Sequence, residues 1–509
     1  MRLNYLKVVF SGFLSGLSLP YFYCLPFLIF GTYYFLKVLT DEKSHFNCFL
    51  LGCFFGFGYF LIGFHWIIFP FFFDDKYKLL IPFILILFPV LMGSFYGLLG
   101  FLVSLFNKNT NLLKKKFFFT HIFFLSLIIF TCEFLRSHVF GGFPWNLSAH
   151  IWSFSHLFIS PAKVIGAHGL SFLTIYWITL TCVFFYLKKY KRSLGFSLLF
   201  PALIFLYGLS NQNNLNDNSL TVRVVQPSIP QKLKWSPNHQ KQNFEKLISL
   251  STIPSNKIKK PEIIIWPESA IPYYLNQSPE IVQSLSERLL SNTYLITGSL
   301  KRETIDDEVK IFNSLYVIKD GTIVESYDKI KLVPFGEFIP FRSFLPFKKM
   351  TSGNTDFSAG LERKVFNIKL LGRKEISIEP SICYEGIFPV KDIVNFRPDF
   401  LINITNDAWF GKTTGPTQHL TANRFRAVER GIPLVRVANN GLSAIIDNNG
   451  KIIKNIDLDK SDYFDVDLKV GFSETYYSKF GNLSLIFMIS VILFFSFVVD
   501  KLIILTRKE

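Results

Sequence analysis

Apolar residues in this chain are gathered into long unbroken runs, and that segregation limits what it can fold into. Leu79 to Phe106 and Phe117 to Leu135 are each long enough to cross a bilayer, which takes roughly 20 residues as helix. Half of the 509 residues are hydrophobic. A soluble chain of this length would spread them over several cores. Here the stretch from about Leu220 to Val470 contains no such run and reads as a separate water-facing domain. The 60 phenylalanines reflect compositional bias in part, so no single Phe carries functional weight.

Eight spans are expected, at roughly 5–22, 23–40, 48–72, 79–106, 117–136, 166–187, 194–210 and 483–504. The water-facing domain falls between the seventh and the eighth. This gives a transmembrane bundle over 1–212, a domain over 218–472, and a final helix with its tail over 480–509. With the N-terminus inside, cytoplasmic segments carry Lys37, Lys43, Lys108, Lys114 to Lys116, Lys188, Lys189, Lys191, Arg192, Arg507 and Lys508. The outer loops carry only Lys76, Lys78, Arg136 and Lys163. The positive-inside rule therefore predicts both termini in the cytoplasm and the large domain outside. The early apolar run after Arg2 resembles a secretory leader, but no small-residue cleavage site follows it.

The net charge of +17 comes largely from lysines and arginines that flank spans. No basic stripe interleaved with aromatics marks nucleic acid as a partner. Lys257, Lys259 and Lys260 read as a solvated loop. Gly141-Gly142-Phe143-Pro144-Trp145 reads as a turn with an interfacial Trp, or else as a wall of a lipid entry path. Glu133 and Arg136 lie one helical turn apart and are expected to pair.

Within 218–472, short β-rich runs alternate with helical patterns, which predicts an α/β layered domain. The strands are expected near Leu220–Val225, 262–266, 294–298, 314–318, 376–383, Phe400–Thr405, Leu434–Ala438 and 463–466. Ser278-Pro279-Glu280 has the form of a helix start with Ser as cap. A second helix is expected from Pro416 to Arg430, ended by Gly431. Its His419, Asn423, Arg426 and Glu429 read as structural.

Six cysteines are present: Cys24, Cys48, Cys53, Cys132, Cys182 and Cys383. Five fall in or beside apolar runs, where a cysteine is usually a small packing residue. Cys383 alone lies in the water-facing domain, where a solitary external thiol calls for a chemical role. It ends the apolar run Ile378-Glu379-Pro380-Ser381-Ile382. Ile264-Ile265-Trp266-Pro267-Glu268-Ser269 likewise delivers a carboxylate at a strand end, where open sheets present chemistry. Between them lies Tyr327-Asp328-Lys329-Ile330-Lys331-Leu332-Val333-Pro334-Phe335-Gly336-Glu337.

In that order these segments resemble the Glu-Lys-Cys triad of the nitrilase, or carbon–nitrogen hydrolase, superfamily. Leu332 to Glu337, Asn406-Asp407-Ala408-Trp409-Phe410-Gly411 and the multi-span frame narrow the resemblance to the apolipoprotein N-acyltransferase family, over essentially the whole chain. The resemblance implies a membrane α-helical bundle carrying an α/β nitrilase-type αββα sandwich. It implies Cys383 as nucleophile, Glu268 as general base and acid, and Lys329 as oxyanion stabiliser. Family members often carry His two residues after the lysine, where this chain has Lys331. Lys329 is preferred because its eight-residue spacing to Glu337 matches the family motif.

The same resemblance sets Glu337 and Glu385 near the triad, to orient Lys329 or the amine, or as a structural ion pair. Tyr384 is placed to shape the oxyanion site. Trp235 and Trp409 flank the entrance or simply pack. Asn313 and Asn406 hydrogen-bond within the pocket or cap loops. The implied partners are a phospholipid acyl donor and an apolipoprotein bearing S-diacylglyceryl-cysteine as acceptor, at a bacterial inner membrane. No His/Cys spacing points to a metal, and no cofactor or phosphate loop is expected. Competing expectations are a membrane-tethered amidase using the same triad, and a transporter or receptor with a silent domain.

Overall fold

A computed structural model describes residues 2–109, 117–215, 218–255, 260–344, 349–351, 353, 355–370, 372, 375–389 and 397–506. Lys114 to Lys116, Lys257, Lys259, Arg507 and Lys508, which entered the charge argument, lie outside the described residues. The chain forms two compact units. One comprises Met1–Gln212, Thr417–Glu429 and Glu474–Glu509; the other comprises Asn213–Pro416 and Arg430–Ser473.

The helical unit contains α1 (Arg2–Gly16), α2 (Leu25–Asp41), α3 (His45–Phe64), α4 (Ile81–Asn109), α5 (Phe118–His138), α6 (Ala162–Tyr186) and α7 (Tyr190–Ser210). The last long helix is Asn482–Thr506. Each of the eight apolar runs thus forms a helix. Among the described residues six segments are long and apolar enough to span: His45–Phe72, Asp75–Phe106, Phe118–Gly141, Ala162–Tyr186, Tyr190–Ser210 and Asn482–Thr506. The other two, α1 and α2, are shorter at 15 and 17 residues. A turn through Pro20, with Tyr21 and Tyr23 at positive φ, shortens both.

Helices α3 and α4 approach closely because glycines line the contact. A Cβ on Gly52 would sit 1.9 Å from the Tyr96 carbonyl oxygen, so the backbones touch only without one. Glu133 and Arg136 do not pair. Arg136 donates to the carbonyls of Phe143, Trp145 and Asn146, while Glu133 accepts from the amide and hydroxyl of Ser148. Each tethers the loop after α5, which satisfies both charges without an ion pair. Trp145 is buried within the protein, and its indole donates to Gln418 at 2.8 Å.

The second unit is built on two six-stranded sheets. The strands are β1 (Ser219–Gln226), β2 (Ile263–Ile265), β3 (Tyr294–Ile305), β4 (Glu308–Lys319), β5 (Thr322–Asp328), β6 (Phe366–Ile368), β7 (Ile376–Ile382), β8 (Phe400–Thr405), β9 (Leu434–Ala438), β10 (Ser443–Ile446), β11 (Ile452–Ile456) and β12 (Asp462–Lys469). One sheet runs β12-β1-β2-β3-β4-β5, the other β11-β10-β9-β8-β7-β6. Each has three parallel strands, β1–β2–β3 or β7–β8–β9, flanked by antiparallel ones.

Alternate residues of both sheets meet in one core. Leu220, Val222 and Val224 of β1 share it with Ile376, Ile378 and Ile382 of β7. The other face of the first sheet is covered by α8 (Pro237–Thr252) and α9 (Pro279–Arg288), through Phe244, Leu247, Val282 and Leu285. Ser278 precedes α9 as expected, but its side chain makes no capping hydrogen bond; Pro279 alone pre-sets the first turn. The parallel pair β8 and β9 is joined through α10 (Gly415–Arg430), which stops at Gly431 in the left-handed region. Its segment Thr417–Glu429 packs with the helical unit, where Phe425 and Val428 join a core that includes Trp152 and Trp177. There Arg426 pairs with Glu429 at 3.0 Å.

Candidate active site

Three strand ends in the second unit carry the residues singled out by sequence. Cys383 directly follows β7, Lys329 directly follows β5, and Glu268 lies three residues after β2. Cys383 adopts φ +52°, a left-handed conformation that side chains rarely take. It opens a short 3-10 turn, Cys383–Ile387. Ser269, next to Glu268, is also left-handed at φ +47°. Such conformations persist only when the surroundings over-determine them.

Lys329 is buried and its ammonium lies 2.9 Å from Glu337 and 3.7 Å from Glu268. Asn313, in the middle of β4, donates through Nδ2 to both carboxylates, at 2.7 Å to Glu268 and 2.9 Å to Glu337. Glu337 also accepts from the Val333 amide. Two acids, one ammonium and one amide therefore form a closed buried network. Lys331 is exposed, with its ammonium over the Phe388 ring. The strand ends at Asp328, so the two lysines do not share a face as strand neighbours would.

Burial governs the electrostatics. It raises the Glu268 carboxyl above its ordinary range; Lys329 opposes this, Glu337 adds to it, and Lys234 and Asn313 oppose it further. Burial would lower the Lys329 ammonium, but Glu337, Glu268 and the nearby Cys383 together hold it well above the usual value. The Cys383 thiol is pushed up to about 12, first by burial and then by Glu268, against Lys329. At rest the site therefore holds a thiol, together with the Glu268 carboxyl and the Lys329 ammonium.

Glu385 belongs to a different network. It accepts from the Tyr327 hydroxyl at 2.9 Å, the Ile330 amide at 2.7 Å, the Lys331 amide at 3.1 Å and the Ile382 amide at 2.8 Å. Among the described residues all four donors are neutral. Glu385 ties the loop after Lys329 to the turn that presents Cys383, and it does not meet Lys329. Tyr384 is half-buried and stacks edge-on with Phe388. Asn406 accepts from Asn439 and donates to Gln231 at 2.7 Å, which ties it to a neighbouring loop. Trp235 and Trp409 are both half-buried.

Sequence reasoning missed three features. Lys234 is buried and donates to the Glu268 carbonyl oxygen at 2.9 Å. Its place after Pro230 in an unremarked polar stretch gave no signal. Arg436 of β9 forms a fully buried ion pair with Asp407 at 2.7 Å and also donates to Asn403. Asn403 in turn donates to the Cys383 carbonyl. Gly298 of β3 was missed as well: a Cβ there would lie 2.4 Å from the Ser269 amide and 2.7 Å from the Glu268 Cα.

Twin six-stranded sheets with Glu, Lys and Cys at converging strand ends define a carbon–nitrogen hydrolase domain. A family model described as "Carbon-nitrogen hydrolase" matches residues 221–476, and one described as "Apolipoprotein N-acyltransferase N-terminal domain" matches residues 11–180. The chain is 37% identical to the apolipoprotein N-acyltransferase of Rickettsia bellii (strain RML369-C), over 97% of this chain and 98% of that one. It is 34% identical to the corresponding protein of Rickettsia prowazekii (strain Madrid E), over 96% and 98%. For the protein of Brucella melitensis biotype 1 the identity is 35%, over 80% and 77%. The chain belongs to the apolipoprotein N-acyltransferase family.

Proposed function

We propose that this acyltransferase moves one fatty acyl chain from a membrane phospholipid to the N-terminal α-amino group of an S-diacylglyceryl-cysteine on an apolipoprotein. The observation that carries the reading is the buried contact of Lys329 with both Glu268 and Glu337, one strand end from a buried thiol. In the first half, Glu268 takes the Cys383 proton and the sulfur attacks the ester carbonyl. Lys329 and the Tyr384 amide hold the developing oxyanion, a contribution of about 3–4 kcal/mol per donor. Collapse breaks the ester C–O bond, and Glu268 returns the proton to the departing alcohol. The products are a lysophospholipid and a thioester on Cys383.

In the second half, the neutral α-amine attacks the thioester and gives its proton to Glu268. The C–S bond breaks, the amide forms, and the thiolate takes the proton back. Burial of Cys383 suits transfer over hydrolysis, because a thioester kept from bulk water waits for the amine.

The donor and acceptor are both lipid-anchored, so the reading sets the site against the outer leaflet of the bacterial inner membrane, with both termini cytoplasmic. The lysine and arginine bias of the loops supports that orientation. Reporter fusions at Asn218 and Lys189 check it: Asn218 is expected outside and Lys189 in the cytoplasm, and the reverse assignment would overturn it. The chemistry is tested by intact-mass analysis of the purified protein given phospholipid alone. A fatty-acyl adduct that disappears in Cys383→Ala is expected. No adduct on the wild type, or one that survives the substitution, refutes the reading. Adding a diacylated lipopeptide should then yield its N-acylated product; free fatty acid as the main product would favour a hydrolase.

A further inference from the structure

The charges in direct contact at the site do not balance. With Glu268 ionised, as its role as base requires, it and Glu337 are two buried carboxylates, and among the described residues Lys329 is the one cation within ion-pair distance of them. Moving the Cys383 proton to Glu268 leaves a buried thiolate beside Glu337, so the site carries one negative charge too many at either stage. An uncompensated buried charge is strongly disfavoured. Lys234 is also buried, and its ammonium donates to the Glu268 carbonyl at 2.9 Å, within electrostatic reach of the Glu268 carboxylate and of Cys383.

The segment that carries it is held from two sides. The short helix Gln231–Lys234 is held by the Asn406 amide on Gln231 at 2.7 Å and by the Asn243 amide on the Leu233 carbonyl at 3.1 Å. Three elements thus cooperate to hold a long cationic side chain inside the protein, where ordering and desolvating it are both unfavourable.

We propose that Lys234 is a positioning and charge-balancing residue of this site: it fixes the Glu268 main chain and supplies the second positive charge that allows Cys383 to react as a thiolate. The inference rests on the reading of Cys383 as the nucleophile. Burial brings the Lys234 ammonium down to about 8, against the pull of Glu268 and Cys383. The titratable groups that face it are Glu268 and Cys383, with Lys329 and Glu337 beyond them.

The test compares the full-length wild type with Lys234→Met and Lys234→Arg in detergent micelles. Cys383 is alkylated with iodoacetamide across pH 6–10 and read by peptide mass spectrometry. The same proteins are then assayed for thioester formation from phosphatidylethanolamine vesicles. Loss of one nearby cation is worth about one pH unit or more. Lys234→Met is therefore expected to alkylate about tenfold more slowly at pH 7 and to acylate more slowly in parallel, with Lys234→Arg close to the wild type. A Met profile that overlays the wild type overturns the proposal, and so does an Arg variant as slow as Met. Alkylation needs no lipid. A wild type that never forms the thioester would refute the reading of Cys383, while the alkylation profiles still decide the role of Lys234.

Discussion

Replacing Glu385 by Gln keeps the shape of the side chain and changes one thing, the number of faces that can accept. The carboxylate now accepts three hydrogen bonds on Oε1, from Tyr327, Ile330 and Lys331, and one on Oε2, from Ile382. A Gln can keep the first three with its oxygen. Its NH2 then points at the Ile382 amide, donor against donor. The lost charge-assisted bond and the unsatisfied buried amide together cost about 1–3 kcal/mol. The Ile382 amide is next to Cys383, so the loss falls on the turn that presents the sulfur. If it is felt wholly in the transition state, thioester formation slows roughly 5- to 150-fold. If it is felt in stability, each kcal/mol lowers the melting temperature by about 2–4 °C for a unit of this size. Thioester formation followed by intact mass, with a thermal melt of the same sample, separates the two. Wild-type rate together with wild-type melting temperature would refute the brace. A rate unaffected in Glu385→Gln and abolished in Glu337→Gln would confine orientation of Lys329 to Glu337.

Burial keeps the Glu268 acid above its ordinary pKa. Its protonated form is the one the fold favours, so its contribution to stability is full at low pH and fades as pH rises through the folded value. As the proposed base it would work only when ionised, so thioester formation should rise with pH through that elevated value; an acid limb at or below the ordinary carboxylate range would contradict it. Gly298→Ala should push the Glu268–Ser269 backbone aside, with a loss of at least tenfold in thioester formation and little loss of folded protein; near-wild-type activity would show that the loop yields easily. Asp407→Asn should remove the charge opposite the Arg436 guanidinium and cost about 3–5 kcal/mol in a urea unfolding series. Asp407→Leu with Arg436→Met should regain most of that stability, and an equally unstable pair would argue that the ion pair itself is not the source.

The membrane frame and the strand-end positions of Glu268 and Cys383 were legible because each rests on a local pattern: an apolar run, or a strand that stops at a reactive side chain; Lys329 came only from the family motif and its spacing to Glu337. Most core strands announced themselves in the same way. The exposed edge strands β5 and β11, the three-residue β6 and the four-residue β10 did not, since pairing rather than sequence pattern makes them strands. The division of labour between Glu337 and Glu385 was also invisible. Both stand in acidic motifs, and only the fold shows one among charges and the other among amides and a hydroxyl. Lys234 escaped because a lysine in a polar stretch normally faces water. Glu133 and Arg136 misled because helix spacing permits a pair that nearby loop groups supplant.

The helix α10 leaves and rejoins the sheet-bearing unit at Pro416 and Arg430, yet the residues between them are core residues of the bundle. This bears on any attempt to work with the soluble part alone. A fragment cut at residues 213 and 473 would carry Phe425 and Val428 stripped of Trp152 and Trp177, and Trp145 would no longer reach Gln418. Such a fragment would show water an oily stripe that the intact chain never exposes. It would be expected to aggregate or to seek detergent, even though every residue of the candidate triad is present. Work on the chemistry of this protein therefore has to begin with the whole chain in a lipid or detergent environment.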